Sequence, residues 1–94
     1  MYYKKQKMKD IFSIKNKVII ITGGGKGIGQ DLAINMINRG AYVYAVDIKF
    51  QNITHNNKFL FQEKCDITHY KKFEKICDKI FKKHKKIDVL INCA

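Results

Sequence analysis

The sequence predicts an α/β fold in which four parallel strands form a doubly wound sheet with the strand order 3-2-1-4. Two observations lead to this prediction. Several apolar runs are continuous rather than alternating, which is typical of parallel strands that are covered on both faces. The elements follow one another as strand, helix, strand, strand, helix, strand, and right-handed crossovers then produce this order. With 94 residues, 46% of them hydrophobic, the chain has room for one domain.

The first predicted strand and helix flank a run of glycines. Residues 17–22 predict a strand that is aliphatic from Val18 to Ile21, and three glycines follow Thr22. From Gly27 onward the apolar residues recur with a helical period, and Gly40 is placed to end the helix in the left-handed conformation. The predicted buried stripe of this helix consists of Ile28, Leu32, Ala33, Met36 and Ile37.

The second and third strands are separated by a polar segment. Residues 42–46 predict the second strand, and Asp47 follows it directly. The segment 51–57 predicts a loop, with at most a short helix around residues 50–54. Residues 58–62 predict the third strand. Its predicted faces are Phe59 with Phe61 on one side and Leu60 on the other.

The last predicted elements are a long helix and a fourth strand. Thr68 is placed to cap the free amide groups at the start of this helix. Residues 87–91 predict the fourth strand, which closes the α/β pattern. The predicted apolar stripe of the helix consists of Tyr70, Phe73, Cys77, Ile80, Phe81 and His84.

The formal net charge of +11 raises the question of a nucleic-acid or anionic-membrane partner. Nineteen basic residues include a single arginine, Arg39, although arginine is the residue that phosphate and base readers favour. Eight of the 19 lie between Lys71 and Lys86, mostly opposite the apolar stripe of the long helix. We therefore expect a solvated lysine coat and neither a nucleic-acid nor a membrane partner. A lysine-rich nucleic-acid binder stays as the alternative on charge alone.

The cysteine spacing and the length of the apolar runs indicate in which cellular environment the chain is expected. Cys65, Cys77 and Cys93 are separated by 12 and 16 residues, a spacing that suits neither a disulfide framework nor a zinc site. The longest aliphatic run is four residues, whereas a bilayer-spanning helix needs about 18. The first ten residues also lack the apolar stretch of a secretory signal. We expect a cytoplasmic location and no metal site.

The run Thr22-Gly23-Gly24-Gly25-Lys26-Gly27-Ile28-Gly29 joins the first strand to the first helix. Gly23 allows a tight turn, Gly27 allows a ligand to approach the backbone, and Gly29 allows the helix to pack close to the sheet. Free amides at the start of the helix suit a pyrophosphate. The phosphate-loop signature is absent, because Lys26 precedes Gly27 and no hydroxyl residue follows, which disfavours a triphosphate hydrolase.

The spacing Gly-x-x-x-Gly-x-Gly, preceded by threonine, resembles the opening of the short-chain dehydrogenase/reductase family, classical type. The resemblance extends from about Asp10 to the last residue. Its other segments are Asp47 after the second strand, Asp66-Ile67-Thr68, and residues 88–94, which resemble the run into Asn-Ala-Gly. These four motifs in the same order imply a Rossmann-type NAD(P)-binding domain over residues 16–94, behind a basic leader of residues 1–15.

The resemblance implies a cofactor site at the carboxyl ends of the strands. Asp47 lies 18 residues beyond Gly29, close to the spacing of about 20 at which an acid binds the adenosine ribose. Its carboxylate repels a 2′-phosphate and favours NAD, while Lys26 is a feature of NADP users among relatives, so NADP stays possible. Asp66 would accept from the adenine amino group, and Asn92 would tie neighbouring backbone together. The full set is Gly23, Gly25, Lys26, Gly27, Ile28, Gly29, Asp47, Asp66, Ile67, Asn92 and Ala94.

Catalysis in this family relies on a Tyr-x-x-x-Lys pair together with a serine and an asparagine. The literal match Tyr3-x-x-x-Lys7 precedes the first strand and is interpreted as an accident of the lysine-rich leader. No catalytic residue is therefore assigned. We expect the cofactor-binding N-terminal portion, truncated after strand four, of a homo-oligomeric oxidoreductase for alcohols or carbonyls. The alternative is a catalytically inert dinucleotide-binding module or gene remnant.

Overall fold

The computed structural model describes residues 12–51 and 57–94. The elements in these ranges are β1 (Val18–Thr22), α1 (Gly27–Asn38), β2 (Tyr42–Asp47), β3 (Leu60–Lys64), α2 (Tyr70–His84) and β4 (Val89–Asn92). The four strands are parallel and lie in the order β3-β2-β1-β4, which confirms the predicted topology. Within the described ranges, neither helix combines the length and the apolar character that crossing a bilayer requires.

Some predictions fall outside the described ranges. Most of the basic leader, residues 1–15, lies there, as does the Tyr3-x-x-x-Lys7 match. The short helix considered around residues 50–54 also lies there from residue 52 onward, while Phe50 and Gln51 belong to no helix.

Strand β1 forms the centre of the sheet and is buried along its whole length. It pairs with β2 on one side, where Ile20 lies beside Tyr44, and with β4 on the other, where Ile20 lies beside Leu90. Its side chains alternate between two cores on opposite faces. Val18 and Ile20 pack with Ile80 of α2, and Ile19 and Ile21 pack with Ala33 and Ile37 of α1. Because both faces are covered, every position of the strand is apolar until Thr22.

Helix α1 packs on the sheet through Ala33 and Ile37, and its third buried residue, Gly29, lies against the glycine turn. The chain leaves the helix through Gly40 at φ +88°, which confirms the predicted left-handed stop. Ile28 was predicted in the buried stripe, and this is wrong because its side chain is 77% exposed. Ile28 lies in the first turn of α1 and lines an open cleft, so its side chain borders open space instead of the sheet.

Strand β3 begins two residues later than predicted, at Leu60. The prediction that Phe59 and Phe61 share a face is wrong. Phe59 lies in the turn before the strand and packs with Leu60 against the α1-side core, whereas Phe61 packs against the α2-side core. The alternation of faces holds only within a strand, and Phe59 precedes it.

Helix α2 rests on the sheet through a narrower face than its sequence pattern suggests. Ile80 is fully buried, and Phe73, Ile76 and Cys77 pack around it. Tyr70 and Phe81, which were predicted in the buried stripe, are 72% and 55% exposed. Consecutive helical residues point about 100° apart, so Phe81 turns away where Ile80 points inward. The predicted lysine coat is confirmed, since all eight lysines between residues 71 and 86 are exposed.

The end of α2 is held by a histidine–tyrosine hydrogen bond. The Tyr44 hydroxyl lies 2.8 Å from His84 Nε2, and the His84 ring also packs edge-on against Tyr44 and Phe61. Partial burial, followed by the positive charges of Lys83 and Lys86, lowers the pKa of His84 below 6.5. Burial and the Glu63 carboxylate raise the pKa of Tyr44, so at neutral pH the bond joins a protonated hydroxyl to a neutral ring.

We expect the chain to lose stability on mild acidification because of His84. Its folded-state pKa is lowered, so the unfolded chain binds more protons; the contribution is complete above about pH 6.5 and is lost as the pH falls through the folded pKa. Urea unfolding followed between about pH 5 and pH 7.5 measures this loss. His84→Phe should flatten the dependence, and His69→Gln, at the other end of α2, should retain it. An unchanged profile in His84→Phe would contradict the assignment.

Candidate functional site

An open cleft of about 550 Å³ lies at the carboxyl ends of the strands. It sits beside β1 and β4, where the winding of the sheet reverses, the place at which open α/β sheets bind ligands. The cleft is lined by Gly23, Lys26, Gly27, Ile28, Gly29, Asp47, Gln51, Cys93 and Ala94. A smaller space of about 160 Å³ adjoins it, shares Gly23, Asp47 and Ala94, and contains Asp66 and Ile67.

Most residues of the predicted site therefore meet in one place. Gly25 and Asn92 are the two that line neither space. Gly25 is buried behind Asp47, and Asn92 lies at the end of β4. Gln51 lines the cleft although sequence reasoning treated it as a polar loop residue, because nothing in the local pattern shows that the loop folds back onto the glycine turn.

The glycine turn is a close-packed piece of backbone. Gly23 has φ +72°, and its amide donates to the carbonyl of Val46 at 2.8 Å. A Cβ at Gly29 would overlap the carbonyl oxygen of Gly23. Gly29 thus lets the helix approach the turn itself, whereas the sequence prediction had it approaching the sheet.

The start of α1 faces the cleft with its first-turn amides. Lys26 is the N-cap residue; within the described ranges no side chain makes a capping hydrogen bond to the helix, and its first turn contains no acidic residue. Gly27 is exposed at φ +57°, and in that part of the chain no atom outside its chain neighbours and its own helix backbone lies within 4 Å of where its Cβ would be. The first-turn amides and the positive end of the helix dipole favour a bound anion. The open side of Gly27 lets such an anion reach the backbone.

The Asp47 carboxylate is oriented by two backbone amides. Its Oδ2 accepts from the amide of Gly25 at 3.0 Å, and its Oδ1 accepts from the amide of Ile48 at 2.7 Å. A carboxylate has about four acceptor sites, so these two bonds leave capacity for hydroxyl donors. Since Asp47 lines both spaces, it stands where they join.

The segment after β3 places a second carboxylate at the smaller space. Asp66 Oδ1 accepts from both the hydroxyl of Thr68 at 2.7 Å and its amide at 2.9 Å, and these bonds lower the pKa of Asp66. Asp66 is therefore ionised at neutral pH. The predicted capping role of Thr68 is wrong: α2 starts at Tyr70 with His69 as its N-cap residue, and the Thr68 hydroxyl serves Asp66 instead.

Asn92 closes the junction between β1 and β4. The buried Thr22 hydroxyl donates to Asn92 Oδ1 at 2.6 Å, and the amide of Cys93 donates to the carbonyl of Thr22 at 2.8 Å. Among the described residues the tie made by the Asn92 side chain is to the Thr22 side chain, and not to backbone as predicted. The threonine that precedes the first motif glycine thus joins the ends of β1 and β4 beside the site.

A parallel sheet with a glycine turn and a facing acid at the reversal of its winding defines a dinucleotide-binding domain of the Rossmann type. A family model described as short chain dehydrogenase matches residues 17–94. The chain belongs to the short-chain dehydrogenase family, whose members are oxidoreductases, and binding of a nicotinamide dinucleotide follows from this membership.

Individual relatives agree with this assignment. The chain is 36% identical over 89 residues to an NAD-dependent glycerol dehydrogenase of Listeria innocua, and the aligned region covers 88% of this chain and 34% of the relative. It is 33% identical over 92 residues to a 7alpha-hydroxysteroid dehydrogenase of Escherichia coli, covering 90% of this chain and 36% of the relative. The chain spans about a third of the length of these relatives.

Solved structures show the same architecture. A short chain dehydrogenase from Leptospira borgpetersenii with bound NAD+ superposes with a TM-score of 0.80 at 28% identity, covering 87% of this chain and 32% of that one. A 2-keto-3-deoxy-D-gluconate dehydrogenase from Streptococcus agalactiae superposes with a TM-score of 0.78 at 34% identity, covering 96% of this chain and 36% of that one.

Proposed function

We propose that residues 16–94 bind the adenosine and pyrophosphate part of NAD, with NADP as the alternative cofactor. In the whole protein this binding serves hydride transfer between the nicotinamide and an alcohol or carbonyl substrate. The observation that carries the proposal is the cleft in which the uncapped first turn of α1 faces the carboxylate of Asp47. An anion site and a hydroxyl-binding acid side by side match the two groups that a dinucleotide presents.

The pyrophosphate is assigned to the start of α1. In the part of the chain that the structure describes, no side chain caps the backbone amides there, and the exposed Gly27 leaves the approach free. Lys26 lines the same cleft and adds a positive charge. Backbone donors, the helix dipole and a lysine together favour a doubly charged pyrophosphate over a neutral ligand.

The adenosine is assigned to the junction of the two spaces. Asp47 accepts the ribose hydroxyls, and Asp66 and Ile67 flank the adenine in the smaller space. A carboxylate held at Asp47 disfavours a 2′-phosphate by charge repulsion, which supports NAD. The NAD+ bound in the Leptospira relative supports the same choice, while Lys26 at the rim is the feature that favours NADP.

The remaining parts of the proposal concern the whole protein. We propose that it is a cytoplasmic homo-oligomer, that residues 16–94 belong to one dinucleotide-binding domain, and that the lysine coat of α2 needs neither nucleic acid nor membrane. The exposed lysines are partly paired with nearby acids, Lys79 with Glu63 and Lys86 with Asp88, which supports a solvated surface.

Titration of the purified chain with NADH and NADPH, followed by the fluorescence of the reduced nicotinamide, tests the proposal. We expect saturable binding with NADH bound more tightly. Asp47→Asn should weaken NADH binding about tenfold, the cost of losing a charged hydrogen-bond acceptor, and should leave NADPH binding unchanged or tighter. Asp31→Asn removes an exposed acid from α1 away from the cleft and is the matched control.

Three results would count against the proposal. Absence of saturable binding to the unmodified chain would refute the assigned cofactor site. Equal weakening of both cofactors by Asp47→Asn would show a structural effect rather than ribose recognition. Tighter binding of NADPH than of NADH by the unmodified chain would make NADP the cofactor.

A further inference from the structure

The loop that follows β2 folds back across the glycine turn. Asp47, the last residue of β2, accepts from the amide of Gly25 at 3.0 Å, and Gln51, four residues further on, donates its own amide to the carbonyl of Gly25 at 2.7 Å. A Cβ on Gly25 would overlap the carbonyl oxygen of Lys49. Residues 47–51 therefore touch the turn at three places.

One side chain of α1 also holds the end of this loop. Gln30 Nε2 donates to the carbonyl of Gln51 at 2.6 Å. Gln51 lines the main cleft, but Gln30 does not. The loop is thus tied at Gln51 to two different elements, to the turn through Gly25 and to the helix through Gln30. The two contacts fix the wall of the cleft in which Asp47 and Gln51 lie.

We propose that Gln30 is a positioning residue for the adenosine ribose. The proposal rests on the proposed function, since it assigns to Gln30 the task of keeping the Asp47 carboxylate in place for the ribose hydroxyls. A carboxylate and a loop that are fixed before binding lose less conformational freedom when the ligand arrives. The side chain of Gln30 acts through the loop and needs no contact with the ligand.

Release of Gln51 affects cofactor choice through the amide of Ile48, which lies between Asp47 and Gln51 and donates to the Asp47 carboxylate. When the segment that carries this amide loosens, the carboxylate loses part of the support that keeps it at the 2′ position. NADH then loses a preformed acceptor, whereas a 2′-phosphate meets less repulsion. Loss of the Gln30 donor should therefore reduce the preference for NADH and weaken NADPH binding less or not at all.

The variant Gln30→Met keeps the length of the side chain and removes its N–H donor. We expect it to raise the Kd of the chain for NADH about fivefold, as expected for one net hydrogen bond, with a smaller change for NADPH. Hydrogen exchange of the Gln51 amide should become faster. Gln30→Arg supplies N–H donors again and should restore slow exchange at Gln51. Thermal unfolding of both variants should stay close to that of the unmodified chain.

Asn35 provides a matched control on the same helix. Its Nδ2 donates to the carbonyl of Asp31 at 2.8 Å, so it makes the same kind of exposed amide-to-carbonyl bond without touching the loop. Asn35→Ala should leave both cofactor affinities and the Gln51 exchange rate unchanged.

The outcomes separate the two proposals. Failure of the unmodified chain to bind NADH would overturn the proposed function. An unchanged ratio of NADH to NADPH affinity, or unchanged Gln51 exchange, in Gln30→Met would overturn the positioning role. Equal effects of Asn35→Ala and Gln30→Met would also overturn it, because the cause would then lie in the helix as a whole.

Discussion

Replacement of Gly29 by alanine is expected to destabilise the chain by about 3 kcal/mol or more, the upper range for inserting atoms into a packed site. The added Cβ would overlap the carbonyl oxygen of Gly23 and lie 2.8 Å from its carbonyl carbon. Both atoms belong to backbone that is itself held, because the amide of Gly23 donates to Val46. The helix must therefore move away from the turn, and the anion site at its start is lost with it.

Alanine at Gly27 should instead cost less stability and weaken cofactor binding strongly. The φ of +57° at Gly27 makes alanine cost about 1–2 kcal/mol, but its Cβ would meet no atom of any other described element within 4 Å. The methyl group would project into the cleft at the place assigned to the pyrophosphate. We expect Gly27→Ala to fold and to bind NADH at least about tenfold more weakly, since the ligand can no longer approach the backbone.

Urea unfolding and NADH titration of the two variants check this pair of expectations. Gly29→Ala should show the larger loss of unfolding free energy. Gly27→Ala should show the larger loss of NADH affinity relative to its loss of unfolding free energy. If Gly27→Ala unfolded more easily than Gly29→Ala, the assignment of one glycine to packing and the other to ligand approach would be wrong.

The topology was predictable from the sequence because its determinants are local. A strand apolar at every position, as from Val18 to Ile21, indicates burial on both faces, and the order of elements with right-handed crossovers restricts the sheet to few arrangements. The boundary of β3 was not predictable, because the aromatic Phe59 continues the apolar run although the backbone is still in a turn. The exposure of Phe81 was missed for a related reason: helical spacing does not show how wide a face the sheet covers.

The candidate site also has residues that the sequence could predict and residues that it could not. The glycines, Asp47 and Asp66 stand at characteristic spacings next to strand ends, so their meeting at one edge of a parallel sheet could be expected. The partners that hold them in place could not. Thr22 and Asn92 are 70 residues apart in the sequence, and Gln30 and Gln51 are 21 apart. No periodicity connects such residues, and only the folded backbone brings their polar atoms within hydrogen-bond distance.

Helix α2 provides the second large expected effect, through two neighbouring residues that sequence reasoning placed in one stripe. Ile80 is fully buried among Val18, Ile20 and Val46, whereas Phe81 is 55% exposed. Ile80→Ala removes packed atoms and leaves a cavity, so we expect a loss of about 2–5 kcal/mol in unfolding free energy. This is a large fraction of the roughly 5–15 kcal/mol that stabilises a typical domain.

Phe81→Ala is the matched control and should cost less than about 1 kcal/mol, although it deletes the larger side chain, because much of the phenyl ring already contacts water. Urea unfolding of both variants measures the difference. NADH affinity should fall more in the variant that loses more unfolding free energy. Helix α2 begins directly after the segment that carries Asp66 and Ile67, so a helix that leaves the sheet takes this wall of the adenine space with it. Equal losses in the two variants would mean that α2 packs through the whole stripe that the sequence suggests. A loss confined to Ile80→Ala would show that one buried isoleucine couples the lysine-coated helix to the sheet and to the cofactor site.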